Sequence, residues 1–217
     1  MIVDFYFGAG SRYSYLAATQ LAALGGETGA RFNWLALDSA RLIAARGDNL
    51  FAAANPIGQY DWGYRRRDAE AWAELYRVPF REPHGRLALD SDLFSLACTA
   101  ARRLGAAETY AQALFRAIFV EDLTTVDRAL CLARAGAAGL DQAAFSDALD
   151  DAETRAERER VLHQAMRLGV FGVPSFVFGE RMFWGNDRLV LLRHALLNPV
   201  HRPGVAATAL WRCPKPK

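Results

Sequence analysis

Two serines, Ser11 and Ser14, stand where a predicted strand is followed by a helix, a position suited to holding an anion. Residues 2–7 are β-branched and aromatic, which favours a buried strand, and residues 8–10 contain two glycines that let the backbone turn. Apolar side chains then recur at helical spacing, so Ser11 is predicted to begin a helix. A helix start presents free N–H groups and the positive end of the macrodipole, so a hydroxyl there can hold a thiolate or another anion. The alternative is that Ser11 is only a helix N-cap.

A second group of motifs lies near the other end of the chain. Residues 172–174 read Gly-Val-Pro before a late strand, and residues 183–189 read Phe-Trp-Gly-Asn-Asp-Arg-Leu before the last helix. With Ser-x-x-Ser at Ser11, these motifs resemble those of the 2-hydroxychromene-2-carboxylate isomerases. That family is related to the kappa-class glutathione transferases, within the thioredoxin-like group that also holds the DsbA-like disulfide oxidases. The resemblance runs from Met1 to about Asn198, and its closing motif is the specific part.

The resemblance implies a glutathione site around Ser11. In thioredoxin-like proteins the redox pair sits where Ser11 and Ser14 stand here, and two serines cannot cycle a disulfide. The position keeps the helix dipole, and a helix N-terminus lowers a thiol pKa from about 8.5 to about 3.5–7.5. The resemblance therefore implies that glutathione is the cofactor and that Ser11 is the catalytic residue, donating a hydrogen bond to its sulfur.

The remaining binding residues also follow from the resemblance. A cis bond at Val173-Pro174 would leave the Val173 backbone N–H and C=O to pair with the extended tripeptide. The helix start at Asn186 and Asp187 would bind the γ-glutamyl carboxylate, and the Asp187 carboxylate would pair with the ammonium group. Asn55 aligns with a glutathione-contacting asparagine of the family. The alternatives are a strand-entry proline, a plain N-cap with an exposed charge, and an ordinary turn, respectively.

The chain departs from the family pattern at three places. Arg12 follows Ser11 where the family has proline, and Asp61 stands where the family has a lysine, seven residues before Asp68. Arg12 could replace that lysine and contact a glutathione carboxylate, in which case it is a further binding residue; otherwise it is a surface charge. Residues 8–10 replace a bulkier segment, so a wider pocket beside the sulfur is expected.

The order of predicted elements indicates an α/β protein with a thioredoxin-like fold and a large all-helical insertion. Residues 1–37 read as strand, helix and strand, a unit with parallel strands. Residues 170–198 supply a hairpin and a last helix, so 1–37 and 170–198 are predicted to form one discontinuous domain. Residues 38–169 are alanine-rich with helical periodicity and form the predicted insertion, and 199–217 are predicted to be an irregular tail.

Composition limits the remaining possibilities. The net charge is +2 over 217 residues, so no strong field favours nucleic acid or an acidic membrane. The three cysteines, at positions 98, 131 and 213, form no Cys-x-x-Cys, and the histidines show no metal-ligand spacing. No signal sequence or long apolar run is evident, so the cytoplasm is the expected compartment. A small aromatic substrate is the partner implied by the resemblance, and a homodimer is expected by analogy.

Three functions remain open from the sequence. The leading interpretation is a glutathione-dependent isomerase acting on 2-hydroxychromene-2-carboxylate or a related intermediate of aromatic catabolism, by thiolate addition, bond rotation and thiol elimination. The first alternative is a kappa-type glutathione transferase, which would share the thiolate site. The second is a non-catalytic thioredoxin-like binding protein, which Asp61 favours and the intact Asn-Asp-Arg motif opposes.

Overall fold

The computed structural model describes residues 1–8, 10–47, 61–83 and 87–199. The strands are β1 Ile2–Gly8, β2 Arg31–Leu37, β3 Ala88–Leu89, β4 Thr125–Val126, β5 Ser175–Phe178 and β6 Arg181–Trp184. The helices are α1 Arg12–Thr28, α2 Ser39–Arg46, α3 Trp62–Tyr76, α4 Ser91–Arg103, α5 Ala107–Phe119, α6 Arg128–Ala137, α7 Gln142–Asp150, α8 Ala152–Arg167 and α9 Leu189–Leu197. A 3₁₀ turn, Asn186–Arg188, leads directly into α9.

The central sheet has the strand order β2-β1-β5-β6. Strands β1 and β2 are parallel and are joined by α1, which confirms the predicted strand-helix-strand unit. Strand β5 is antiparallel to β1, and β6 is antiparallel to β5. The two ends of the chain therefore build one sheet, as a thioredoxin-like fold requires.

Successive side chains of a strand point to opposite faces of the sheet, and helices cover both faces. On one face Phe5 stacks on Phe176 with ring centroids 5.0 Å apart and meets the edge of Trp34 at 4.9 Å. This core continues into α1, α4 and α5. On the other face Tyr6 and Leu35 pack with residues of α2 and α8.

The segment between β2 and β5 is mainly helical but is not all helix. Strands β3 and β4 form a small parallel pair, in which Ala88 lies opposite Thr125. The helical periodicity of the sequence predicts a helix over Val126 to Ala135, but Val126 belongs to β4 and the helix begins only at Arg128, after the N-cap Asp127. A residue whose extended backbone pairs in a sheet cannot also have helical backbone angles, and side-chain periodicity does not distinguish the two conformations over so few residues.

Local signals in the sequence predict two helix limits that the structure contradicts: an end of α1 at Gly25-Gly26, and a capping box at Thr154-x-x-Glu157 for the helix that leads to Gly169. Helix α1 does not stop at Gly25 but continues to Thr28, where Gly29 adopts φ 70° and its N–H bonds the Gly25 carbonyl oxygen. The residue with the left-handed backbone ends the helix, and that residue is Gly29. Thr154 is not the start of a capping box, because Asp151 caps α8 and the Thr154 hydroxyl donates to the Ala148 carbonyl at 2.6 Å.

The predicted hairpin is present between β5 and β6. Its loop is Gly179-Glu180, and Gly179 has φ 61°. The predicted domain limits at 37/38 and 169/170 fall at the end of β2 and just after α8, while the segment after residue 199 lies outside the described residues. Across the described ranges, no helix combines the length and apolar character needed to cross a membrane.

Candidate active site

The sequence topology brings four segments to one edge of the sheet. Strand β1 ends there at Gly8, and α1 begins after the next turn. Strand β5 runs antiparallel to β1, and its first residue, Ser175, lies opposite Tyr6. The residues before Ser175 therefore extend toward the end of β1. Strand β6 ends there as well, since Trp184 lies opposite Ser175. Residues far apart in sequence therefore meet at one place.

Ser11 is the N-cap of α1, and it stands at this edge, three residues after the end of β1. Its Oγ accepts a hydrogen bond from the Ser14 N–H at 3.1 Å, and it lies half-buried. Because a hydroxyl has one donor and two acceptor positions, capping leaves the Ser11 O–H proton to donate elsewhere. Ser14 is fully buried and its Oγ accepts from the Gly8 N–H at 3.3 Å, so it fixes the end of β1.

The two glycines of the loop do not widen the site. A Cβ placed on Gly8 would lie 2.6 Å from Ser39 Oγ and 2.9 Å from Val173 Cγ2. A Cβ on Gly10 would lie 3.2 Å from Leu89 Cδ2. The expectation of a wider pocket was therefore wrong at these positions, because neighbouring side chains occupy the space of the missing ones.

Val173 and Pro174 form the second wall of the site. Their peptide bond is cis, as the resemblance implied. The Pro174 carbonyl accepts a hydrogen bond from the Gly185 N–H at 2.9 Å, which holds this segment against the end of β6. Gly185 has φ 113°, a backbone conformation that favours glycine.

Asn186 and Asp187 lie at the start of the 3₁₀ turn, packed against α1 and α3. Asn186 is buried, and its Nδ2 has no hydrogen-bond partner among the described residues. The Tyr76 hydroxyl donates to the Asn186 carbonyl at 3.4 Å, and burial raises the pKa of Tyr76. Gly185, and not Asn186, is the N-cap of this turn, and it makes no side-chain capping bond.

Asn186 and Asp187 line a cleft of about 360 Å³. Its walls come from α1, α3 and α9, and include Gln20, Trp72 and Arg193. Ser11 is not among the described residues that line it. Asn186 and Asp187 thus lie between the Val173-Pro174 segment, which bonds to Gly185, and a cleft against the second half of α1.

Arg12 is not a surface charge. Its Nη2 forms an ion pair with Glu82 Oε1 at 2.6 Å, and the two side chains are only 6% and 9% exposed. The Arg12 guanidinium also lies 5.5 Å from the Trp62 ring centroid. Sequence reasoning missed Glu82, because it lies in an irregular segment after α3 where no periodicity marks it.

The residue at the lysine position has a clear structural role. Asp61 is the N-cap of α3 and accepts from the Tyr64 N–H at 2.6 Å. Asp68, about two turns further into α3, accepts a hydrogen bond from the Tyr13 hydroxyl at 2.7 Å. Burial, and then this bond, raise the pKa of Tyr13. Helices α1 and α3 are therefore joined beside Ser11 by polar contacts.

The other predicted site residue, Asn55, lies outside the described residues. Ser39, which touches the Gly8 position, was missed because its serine stands in a predicted helical segment with no motif around it. Within the described part of the chain, no group of three or more His, Cys, Asp or Glu side chains is placed to hold a metal ion.

Comparison with known proteins identifies the class to which this fold and site belong. The family model described as the DSBA-like thioredoxin domain matches residues 2–197, so the chain belongs to that family and has the predicted thioredoxin-like fold. Disulfide reductase DsbM from Pseudomonas aeruginosa shares that fold, with a TM-score of 0.61 at 20% identity over 92% of this chain and 93% of that one.

More similar relatives define the position within the family. A 2-hydroxychromene-2-carboxylate isomerase from Pseudomonas sp. (strain C18) is 31% identical over 90% of each chain, and one from Pseudomonas putida is 30% identical over 90% of this chain and 94% of that one. A solved 2-hydroxychromene-2-carboxylate isomerase superposes with a TM-score of 0.78 at 30% identity, covering 90% of this chain and 94% of that one. The chain belongs to the 2-hydroxychromene-2-carboxylate isomerase family, a family of enzymes.

Proposed function

We propose that this protein is a glutathione-dependent isomerase of 2-hydroxychromene-2-carboxylate or a related intermediate of aromatic catabolism. The observation that carries the proposal is the arrangement along one sheet edge of Ser11, Val173 and the helix start at Asn186. Neighbouring strands lie about 4.8 Å apart, so the ends of β1 and β6 are about 10 Å apart. An extended tripeptide spans about 10 Å, which matches this separation.

Each part of the edge fits one part of glutathione. The Ser11 hydroxyl and the free N–H groups at the start of α1 favour an ionised sulfur. Val173 continues β5 past its last pair with β1, where its backbone would add to an extended peptide. The buried Nδ2 of Asn186 supplies donors for the γ-glutamyl end, and Asp187 supplies a carboxylate for its ammonium group. Asn55 and Arg12 complete the proposed contacts, the latter through its Nη1.

Glutathione, when bound, supplies a nucleophilic thiolate: its addition to the substrate frees a substrate bond to rotate, and elimination of the thiol then gives the isomeric product. Among the described residues the protein supplies no thiol at this place, where positions 11 and 14 are serines. Cys98 and Cys131 are buried, and burial raises the pKa of Cys131 to about 11. Ser11 therefore acts as an activator of an external thiol rather than as a member of a redox pair.

A non-catalytic binding role loses its main support in this structure. Asp61 favoured that interpretation because it replaces a lysine, but its carboxylate caps α3. A kappa-type transferase would use the same site, and product analysis distinguishes the two, since a transferase releases a stable thioether and an isomerase releases free glutathione.

The proposal includes a compartment and an assembly. Glutathione keeps cytosolic thiols reduced, so the cytoplasm is the proposed location. A homodimer is proposed by analogy with the family.

The test is Ser11→Ala, measured by the ultraviolet absorbance of bound glutathione thiolate across pH. We expect the pKa of the bound thiol to rise and turnover to slow, with little change in affinity for S-methylglutathione. Loss of the cap costs about 0.5–2 kcal/mol of stability, so folding is checked first by thermal unfolding. Wild-type thiolate titration and turnover in the folded variant would reduce Ser11 to an N-cap. Failure of the wild-type protein to bind either glutathione or S-methylglutathione would reject the proposed function.

A further inference from the structure

The charge nearest to Ser11 in sequence belongs to a buried ion pair. Arg12 is the first residue of α1, and its guanidinium is held by Glu82 at 2.6 Å. Burial lowers the pKa of Arg12, and the Glu82 carboxylate opposes that shift. The Nη1 of Arg12 and the Oε2 of Glu82 have no hydrogen-bond partner among the described residues. Each group therefore has its charge compensated mainly by the other.

The pairing changes what the helix start offers to an anion. An unpaired guanidinium in the first turn would add a full positive charge to the partial charge of the helix dipole, which is about half an elementary charge. With Glu82 in contact, the pair has no net charge. A lysine at the position of Asp61 would have given an uncompensated cation, so Arg12 with Glu82 is not an electrostatic equivalent of it.

We propose that Glu82 is a positioning residue that sets the charge beside the active-site sulfur by neutralising Arg12. This inference rests on the proposed function. Its chemical reason is that the nucleophilicity of a thiolate falls as the thiol pKa falls, and the best attacking thiol has a pKa near the ambient pH. The neutral pair leaves Ser11 and the helix start to stabilise the thiolate, without the further lowering that a free arginine would cause.

The other charged groups near this helix start have partners of their own. On α3, Arg65 lies 5.5 Å from the ring centroids of Tyr13 and Trp62, and it disfavours the charge on Arg12. Asp68 of α3 receives the Tyr13 hydroxyl. Asp61 and Asp38 are helix caps whose oxygens accept hydrogen bonds from backbone N–H groups, and Asp187 lies 3.5 Å from Arg188 Nη1. These groups stay unchanged when Arg12 or Glu82 is replaced.

The experiment measures the pKa of bound glutathione in Glu82→Gln, Arg12→Gln and the double variant. Glu82→Gln keeps the shape and an acceptor for Arg12 but exposes the thiolate to an uncompensated positive charge, so the thiol pKa should fall by about 0.5–1. Arg12→Gln leaves Glu82 unbalanced, so the pKa should rise by about the same amount. Each shift is about a 3–10-fold change in the thiolate-to-thiol ratio. The double variant should return close to the wild-type value.

Glu180→Gln is the matched control, since it removes the same charge from the exposed hairpin at the opposite end of β5. It should leave the thiol pKa unchanged.

Opposite shifts in the two single variants support the proposal, because a merely structural pair would shift the pKa in one direction through a disturbed helix start, or not at all. Two shifts of the same sign, two unchanged values, or a double variant far from wild type would overturn it. Breaking a buried ion pair is destabilising, so folding of each variant is verified in saturating glutathione. If only one single variant folds, the sign of its shift in the thiol pKa tests the proposal. Calorimetry with S-methylglutathione on the wild type separates the two levels: binding without the charge effect removes only this inference.

Discussion

Gly8→Ala is the sharpest test of how the site is packed. The new Cβ would be too close to Ser39 Oγ by about 0.8 Å and to Val173 Cγ2 by about 0.5 Å, relative to an ordinary contact of 3.4 Å. The Gly8 backbone does not have a positive φ, so the alanine itself is not strained. In the folded state, the effect must therefore come from its two neighbours.

The two contacts differ in how easily they relax. A serine hydroxyl moves by rotating about χ1, whereas a β-branched valine is stiff, so Val173 must move with its backbone. Overpacking costs about 1–3 kcal/mol, while the lost chain freedom of the unfolded state returns about 0.4–1 kcal/mol. We expect a net loss of about 1–2 kcal/mol in the free energy of unfolding.

The functional effect should follow the displacement of Val173. Because its backbone is proposed to hold the tripeptide, S-methylglutathione affinity should fall by about 5–30-fold, which corresponds to about 1–2 kcal/mol. Denaturant unfolding and calorimetry measure the two effects. Adding Val173→Ala removes the contact between the new Cβ and Val173 Cγ2, and it should restore part of the affinity. A Gly8→Ala protein with wild-type stability and wild-type affinity would refute the reasoning.

The remaining predictions concern α1, the link between α2 and α8, and the γ-glutamyl end of the site. In α1, Gly26→Ala should stabilise by about 0.5–1 kcal/mol in thermal unfolding, because its Cβ would meet nothing within 4 Å. Gly25→Ala should instead destabilise, since a Cβ there would lie 2.9 Å from a backbone carbonyl oxygen, and equal effects of the two would contradict this account. The hydrogen bond from Arg41 lowers the pKa of Glu159. The Arg41–Glu159 pair therefore contributes fully to the free energy of unfolding above about pH 4.5, and this contribution is lost as the pH falls through the lowered pKa. Glu159→Gln should remove about 0.2–1 kcal/mol at pH 7 and nothing at pH 2, measured by denaturant unfolding at both pH values. Asp187→Asn should weaken S-methylglutathione binding without changing the pKa of the bound thiol; a change in that pKa with no loss of affinity would remove Asp187 from the γ-glutamyl subsite.

The sequence by itself determined the local elements and the family. Strand β2 could be predicted at its observed limits, and the start of α1 at Ser11 followed from local signals, because period-two alternation, glycine turns and helix caps are properties of neighbouring residues. The end of α1 was missed because Gly25 and Gly26 resemble a stop, while the left-handed position is at Gly29. The motif around Asn186 located a helix start for the same local reason.

Only the tertiary structure decided how the site is packed and charged. The sequence marks Arg12 as a charge but does not show that Glu82, seventy residues later in the chain, buries and neutralises it. It shows that Gly8 has no side chain but not that Ser39 and Val173 fill the space. Contacts between distant segments depend on the order and register of the strands, in particular on β5 lying antiparallel beside β1. No local pattern encodes that pairing, because burial and net charge at a site are set by whatever the fold brings next to it.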